Sequence, residues 1–151
     1  MNKYMNIAIK EAYKGITKGH GGPFGAVVVK DDKVIAKGHN MVIANQNCVC
    51  HGEIMAIQNA CKALGTYDLS GCDIYTTAEP CPMCFGAILW ANISHIYYGC
   101  TKVDTANIGF RDDKFYKITK SEHSKMLSQL DHADCKQLFD DYNSISTKQN
   151  Y

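Results

Sequence analysis

Two short motifs, His51-Gly52-Glu53 and Pro80-Cys81-Pro82-Met83-Cys84, each stand where a helix is predicted to begin. Together they restrict the fold more than any other feature. Cys81 and Cys84 are three apart, so within a first helical turn their sulfurs share a face. A helix N-terminus offers positive potential and free N–H groups, which stabilise thiolates. His51 opens the other helix, with Glu53 in the same first turn. One imidazole and two thiolates form a donor set for Zn2+ and leave one tetrahedral position for water. Serving one ion requires that the two helix starts meet, although a strand separates them in the chain. A structural zinc site or a redox Cys-x-x-Cys is the alternative, and neither gives Glu53 a task. Cys48 and Cys50, just ahead of His51, are alternative fourth ligands, although residues before a helix start usually point elsewhere.

The rest of the pattern is that of an α/β layered domain. Tyr4, Ile7, Ala8, Ala12 and Ile16 have helical spacing over residues 4 to 17. Two β-branched runs, 26–30 and 33–38, flank Asp31-Asp32 and predict a hairpin. Residues 40 to 50 look irregular. Helical spacing resumes from His51 to Leu64 and closes at Gly65. Strands are expected at 72–77 and 95–100, with a helix over 81–91 opened by prolines. Residues 102–118 read as loop-rich, followed by a C-terminal helix at roughly 123–142 and a polar tail. The hairpin makes the sheet mixed.

The length of 151 residues fits one domain, 1–151, with a single core. A 46% hydrophobic and 21% charged composition is ordinary for a soluble globular chain. No apolar run is long enough for a membrane span. The lysine-bearing N-terminus reads as an amphipathic helix and not a secretory signal, so the chain is expected in the cytoplasm. There the eight cysteines serve as buried apolar residues or ligands and not as disulfides. A net charge of +1 shows no footprint for nucleic acid. His20, His39, His95, His123 and His132 lack ligand-like spacing and are expected to be satisfied or solvated.

An H-x-E followed by P-C-x-x-C marks the zinc deaminases. With Gly22-Pro23-Phe24-Gly25-Ala26, Asn40, Ala87-Ile88-Leu89-Trp90-Ala91 and Gly109-Phe110-Arg111-Asp112-Asp113, the chain resembles the cytidine deaminase-like superfamily. Within that superfamily it is most similar to the bacterial guanine deaminases. The likeness covers roughly residues 5 to 118 and returns in the extreme C-terminal tail.

The resemblance implies a three-layer α/β/α domain with a central mixed five-stranded sheet. It implies hydrolysis of guanine, a small purine base, to xanthine and ammonia. The unit would be a homodimer exchanging C-terminal segments, about 120–151. Zinc-activated water would attack C2 while Glu53 protonates N3, and Glu53 or a second acid would protonate the departing amine. Asp112 matches that second acid, with Asp113 its alternative. Substrate contacts would come from Phe24, Asn40, Gly52, Trp90 and Tyr151. Gly52 stands where alanine is usual, and the missing methyl is expected to loosen the pocket or the helix start. Asn40 has the plainer reading of a turn residue, Trp90 that of a core aromatic, and Tyr151 that of a frayed terminus. Glu79 is expected to bond a neighbouring helix start.

The tRNA adenosine deaminases share the zinc chemistry but need a basic phosphate-binding surface. Residues 121–151 hold five acids (Glu122, Asp131, Asp134, Asp140, Asp141) against three lysines (Lys125, Lys136, Lys148). That balance disfavours nucleic acid. Guanosine and cytosine remain alternative substrates, and a non-catalytic zinc-stabilised module is the reading from another class.

Overall fold

The structure, a computed structural model, describes residues 1–120 and 126–148. In chain order it runs α1 (Lys3–Thr17), β1 (Gly25–Lys30), β2 (Lys33–His39), α2 (Val42–Asn45), α3 (Gly52–Leu64) and β3 (Cys72–Ala78). It continues with α4 (Pro82–Trp90), β4 (His95–Cys100), α5 (Lys102–Asn107), α6 (Asp112–Thr119), β5 (Leu127–Gln129) and α7 (His132–Ser144). The strands form one five-stranded sheet in the order β2-β1-β3-β4-β5. β1 pairs antiparallel with both β2 and β3, while β3, β4 and β5 run parallel. The expected mixed sheet is present.

The two faces follow from strand alternation. Ala26, Val28, Ile74 and Ile96 point to one side, where Ala56 and Ala60 of α3 and Ile88 of α4 cover them. Val27, Val29, Tyr75 and Tyr97 point to the other, against Met5, Ala8 and Ala12 of α1 and Leu138 and Phe139 of α7. β1 is buried on both faces, which explains its unbroken apolar run. Asp31 and Asp32 take positive φ values of 47° and 59°, as a two-residue hairpin loop of the primed type requires. Asn2 caps α1, its side chain accepting from the N–H groups of Tyr4 and Met5. Among the described residues the cysteines are unpaired, and no helix is long and apolar enough to cross a membrane.

Three expectations change. Residues 102–118 hold two short helices, α5 and α6, in place of loop. Thr101 and Asp104 form a reciprocal capping box that starts the first of them. The C-terminal helix begins at His132, because residues 127–129 are taken by the edge strand β5. A single turn, α2, lies within the irregular stretch.

Glu11 of α1 is buried and ties that helix to β2. Its carboxylate accepts from Lys37 Nζ at 2.9 Å and from His39 Nδ1 at 3.0 Å. Burial raises its pKa, but the bonds from His39 and Lys37 outweigh this and hold it below the usual carboxylate value. A folded-state pKa below the unfolded one contributes stability above that ordinary value, lost as pH falls through the folded pKa. Glu11→Gln should therefore lower unfolding free energy by about 1–3 kcal/mol at pH 7. Urea unfolding at pH 7 and in mild acid checks this, since the gap to wild type should narrow in acid. A gap independent of pH would contradict the assignment.

Candidate metal centre and active site

The C-terminal ends of β2 and β3 lead into the site. β2 runs into Asn40, and β3 runs through Glu79 and Pro80 into Cys81. His51 is the N-cap of α3 and Cys81 the N-cap of α4, with Pro82 in the first helical position, where its missing N–H costs nothing. The two helix starts meet as the motifs require. One ligand atom each from His51, Cys81 and Cys84 lies within 4.8 Å of the others. His51 Nδ1 is 3.6 Å from Cys81 Sγ.

The donor chemistry fits zinc. Cys84 donates to Cys81 and, with burial opposing and His51 adding to the effect, holds the Cys81 thiol down to about 4. Burial and the neighbouring Cys81 push the Cys84 thiol up. Two sulfurs and an imidazole nitrogen this close suit a divalent cation, which displaces thiol protons when it binds. Cys48 and Cys50 lie outside the trio. The Cys50 sulfur instead accepts from the Asn45 amide at 3.6 Å, and Cys48 is exposed. Three protein ligands leave the set open, which is the pattern of a catalytic and not a structural site.

Two carboxyls accompany the trio. Glu53 is buried, and burial followed by the Cys81 charge pushes its pKa up. Asp112, first residue of α6, is raised to about 7 by burial, then by Cys81 and Glu53. His51, Glu53, Cys81 and Asp112 line one cavity of about 610 Å³, a volume ample for a single base. Asp113 is not among the lining residues, so the fold brings Asp112 and not its neighbour to the cavity. α6 is held to the peptide that leads into Cys81 by the Tyr116 hydroxyl, which donates to the Pro80 carbonyl. Glu79 accepts from the backbone N–H of Lys102 at 2.9 Å and so bonds the start of α5.

Asn40 is fully buried and also lines the cavity. Its Oδ1 accepts from the Val42 N–H at 3.1 Å, while its Nδ2 has no partner among the described residues. Gly21 makes room for it, since a Cβ there would stand 2.0 Å from Asn40 Oδ1. Phe24 forms a wall with Phe110, their rings edge-to-face at 4.8 Å.

Two expectations at this site are corrected. Trp90 is 87% exposed and does not line the cavity. α4 is apolar at almost every position, so its sequence carries no sign of which face is buried, and Phe110 supplies the second aromatic surface. At Gly52 the missing methyl does not loosen the site. A Cβ there would lie 2.9 Å from the Phe24 carbonyl oxygen, so glycine lets α3 start close under that turn. Tyr151 lies outside the described residues. Met83, Phe115 and Ile118 line the cavity unforeseen. The capping box at Thr101 was the nearest signal that residues 102–118 fold into ordered walls.

A model of the cytidine and deoxycytidylate deaminase zinc-binding region matches residues 1–100. The chain is similar to guanine deaminase of Bacillus subtilis (strain 168), with 46% identity over 114 residues, 76% of this chain and 73% of that protein. It is also 45% identical to the tRNA-specific adenosine deaminase of the same organism over 96 residues, 64% of this chain and 59% of that one. The X-ray structure of Bacillus subtilis guanine deaminase superposes with a TM-score of 0.75 at 39% identity, covering 100% of this chain and 99% of that one. The matching zinc-binding region, the likeness to guanine deaminase and the superposed fold place the chain in one group: it belongs to the zinc-dependent cytidine and deoxycytidylate deaminase family and is an enzyme.

Proposed function

We propose that the protein hydrolyses guanine to xanthine and ammonia. The observation that carries this reading is the buried Asn40 amide nitrogen, a donor without a partner among the described residues, in the cavity that His51 and Cys81 line. An unmet buried donor costs about 1–3 kcal/mol, which a substrate acceptor relieves. Guanine presents two acceptors, O6 and N7, on one edge, whereas adenine sets an N6 donor beside N7. The likeness to guanine deaminase along nearly the full chain supports the same choice.

His51, Cys81 and Cys84 would hold the zinc. When bound, zinc lowers the pKa of water toward about 7 and so supplies a nucleophile near neutral pH. Two thiolates balance the cation, so a neutral base enters without a charge to desolvate. Phe24 and Phe110 form one wall against the planar ring, and Asn40 donates to its acceptor edge. Glu53 takes a proton from the water that adds at C2 and delivers it to N3. Asp112 then protonates the amine as the C2–N bond breaks, the C2 hydroxyl returns its proton to the carboxylate pair as the carbonyl forms, ammonia leaves, and xanthine remains. Gly52 lets the helix start approach Phe24.

The reading extends to a homodimer that exchanges C-terminal segments, about 120–151, so that β5 and α7 would take on the partner's sheet the places they hold here on their own, with Tyr151 of each copy closing the other's cavity and excluding water. Trp90 and Leu89, adjacent and exposed at the end of α4, offer apolar surface for a second copy. One zinc-loaded preparation tests both parts. Light scattering should give about twice the 16.8 kDa chain mass. Ammonia release from guanine should exceed that from adenine, cytosine, guanosine or a tRNA anticodon stem-loop by about 100-fold or more. Preference for the stem-loop adenosine would overturn the substrate, and a monomer mass would overturn the exchange.

A further inference from the structure

The sequence sets His132 far from Cys100 and Asp104, but the fold does not. Cys100 ends β4 and is fully buried. Asp104 lies in the first turn of α5, and His132 is the first residue of α7. A ligand atom from each lies within 4.8 Å of the other two, the same closeness the catalytic trio shows. Among the described residues these are the only two such groups. The catalytic set also shares a second trait with this one: two of its donors touch directly. His132 Nε2 stands 2.7 Å from Asp104 Oδ2, as His51 Nδ1 stands near Cys81 Sγ.

We infer that Cys100, Asp104 and His132 form a second divalent-metal site that fastens α7 to the end of β4. The donors identify the class of ion. Sulfur, imidazole nitrogen and carboxylate oxygen together suit zinc or its neighbours cobalt and nickel, whereas magnesium and calcium take oxygen ligands. A thiolate and a carboxylate neutralise a 2+ ion, so no net charge is buried. The side-chain exposures grade from Asp104 at 15% to His132 at 46%, so the ion enters from solvent onto a buried sulfur. Water fills the fourth position on that open side.

The site is structural in its placement. None of its ligands lines the 610 Å³ cavity. It joins elements far apart in sequence, bridging β4 and α5 to the helix that covers the Tyr75–Tyr97 face of the sheet. The Thr101–Asp104 capping box holds the carboxylate in place, its Oδ2 accepting from the Thr101 N–H and hydroxyl at 2.8 Å each. Such positioning lowers the ordering cost of coordination.

The test is zinc stoichiometry after metal stripping, reloading with zinc and dialysis against zinc-free buffer. Wild type should retain two equivalents per chain. His132→Ala should retain one and keep its ammonia release, because the residue is outside the active cavity. Cys100→Ser should also retain one. His51→Ala should retain one while losing activity, which separates this inference from the proposed chemistry. A single equivalent in wild type with none in His51→Ala overturns the second site. So does finding two equivalents in both His132→Ala and Cys100→Ser.

Discussion

Glu53→Gln should leave a folded, zinc-loaded protein that releases ammonia from guanine at least about a thousandfold more slowly than wild type. A single positioned proton transfer contributes about 10²–10⁴-fold, and here one side chain performs both the uptake from water and the delivery to N3. Glutamine keeps the shape and the hydrogen-bonding carbonyl but carries no exchangeable acid. Fold loss is not the cause to expect. The Glu53 carboxylate is buried, and burial disfavours its charged form. A neutral amide removes that desolvation cost, so thermal stability should hold or rise. Steady-state ammonia release, metal analysis and a melting curve on the same sample read all three. Turnover within threefold of wild type would remove Glu53 from the chemistry.

His51→Ala should abolish turnover by a different route, through loss of the metal. Removing a residue that merely orients a ligand already weakens metal binding about 10–100-fold, and removing one of three direct ligands should exceed this. Two sulfurs at one helix start then hold the ion without the imidazole that spans to the other helix. Chelator competition measures the affinity. Wild type treated with chelator should match the variant in rate and regain activity with added zinc, whereas the variant should not at stoichiometric zinc. Equal affinity in the two proteins would show that His51 is not a ligand.

The metal trio was legible because its chemistry needs fixed residue types at fixed helix positions, and His51, Cys81 and Cys84 carry both. The hairpin was legible for a similar reason, since β-branched runs around Asp31-Asp32 leave few alternatives. β5 was not. Leu127–Gln129 has three residues, two of them polar, and becomes a strand only because β4 offers a free edge beside it. α5 and α6 are six and eight residues long, too short to show a helical period, and only the Thr101–Asp104 box announced the first. Trp90 misled because an almost wholly apolar α4 has no polar face to orient it. The cavity walls Phe115 and Ile118 inherit the obscurity of α6. Coordination by distant residues, as with Cys100 and His132, leaves no spacing to read at all.

The bond from Tyr116 to the Pro80 carbonyl divides α6 into two regimes. Its opening turn, carrying Asp112, is geared to the peptide that leads into Cys81, so acid and metal keep a common frame. Its closing turn, with Ile118 76% exposed at the cavity rim, lies past the fastening. Substitutions there can reshape what enters without misaligning what reacts. Substrate range can therefore be altered at the rim of the cavity while the chemistry stays as it is.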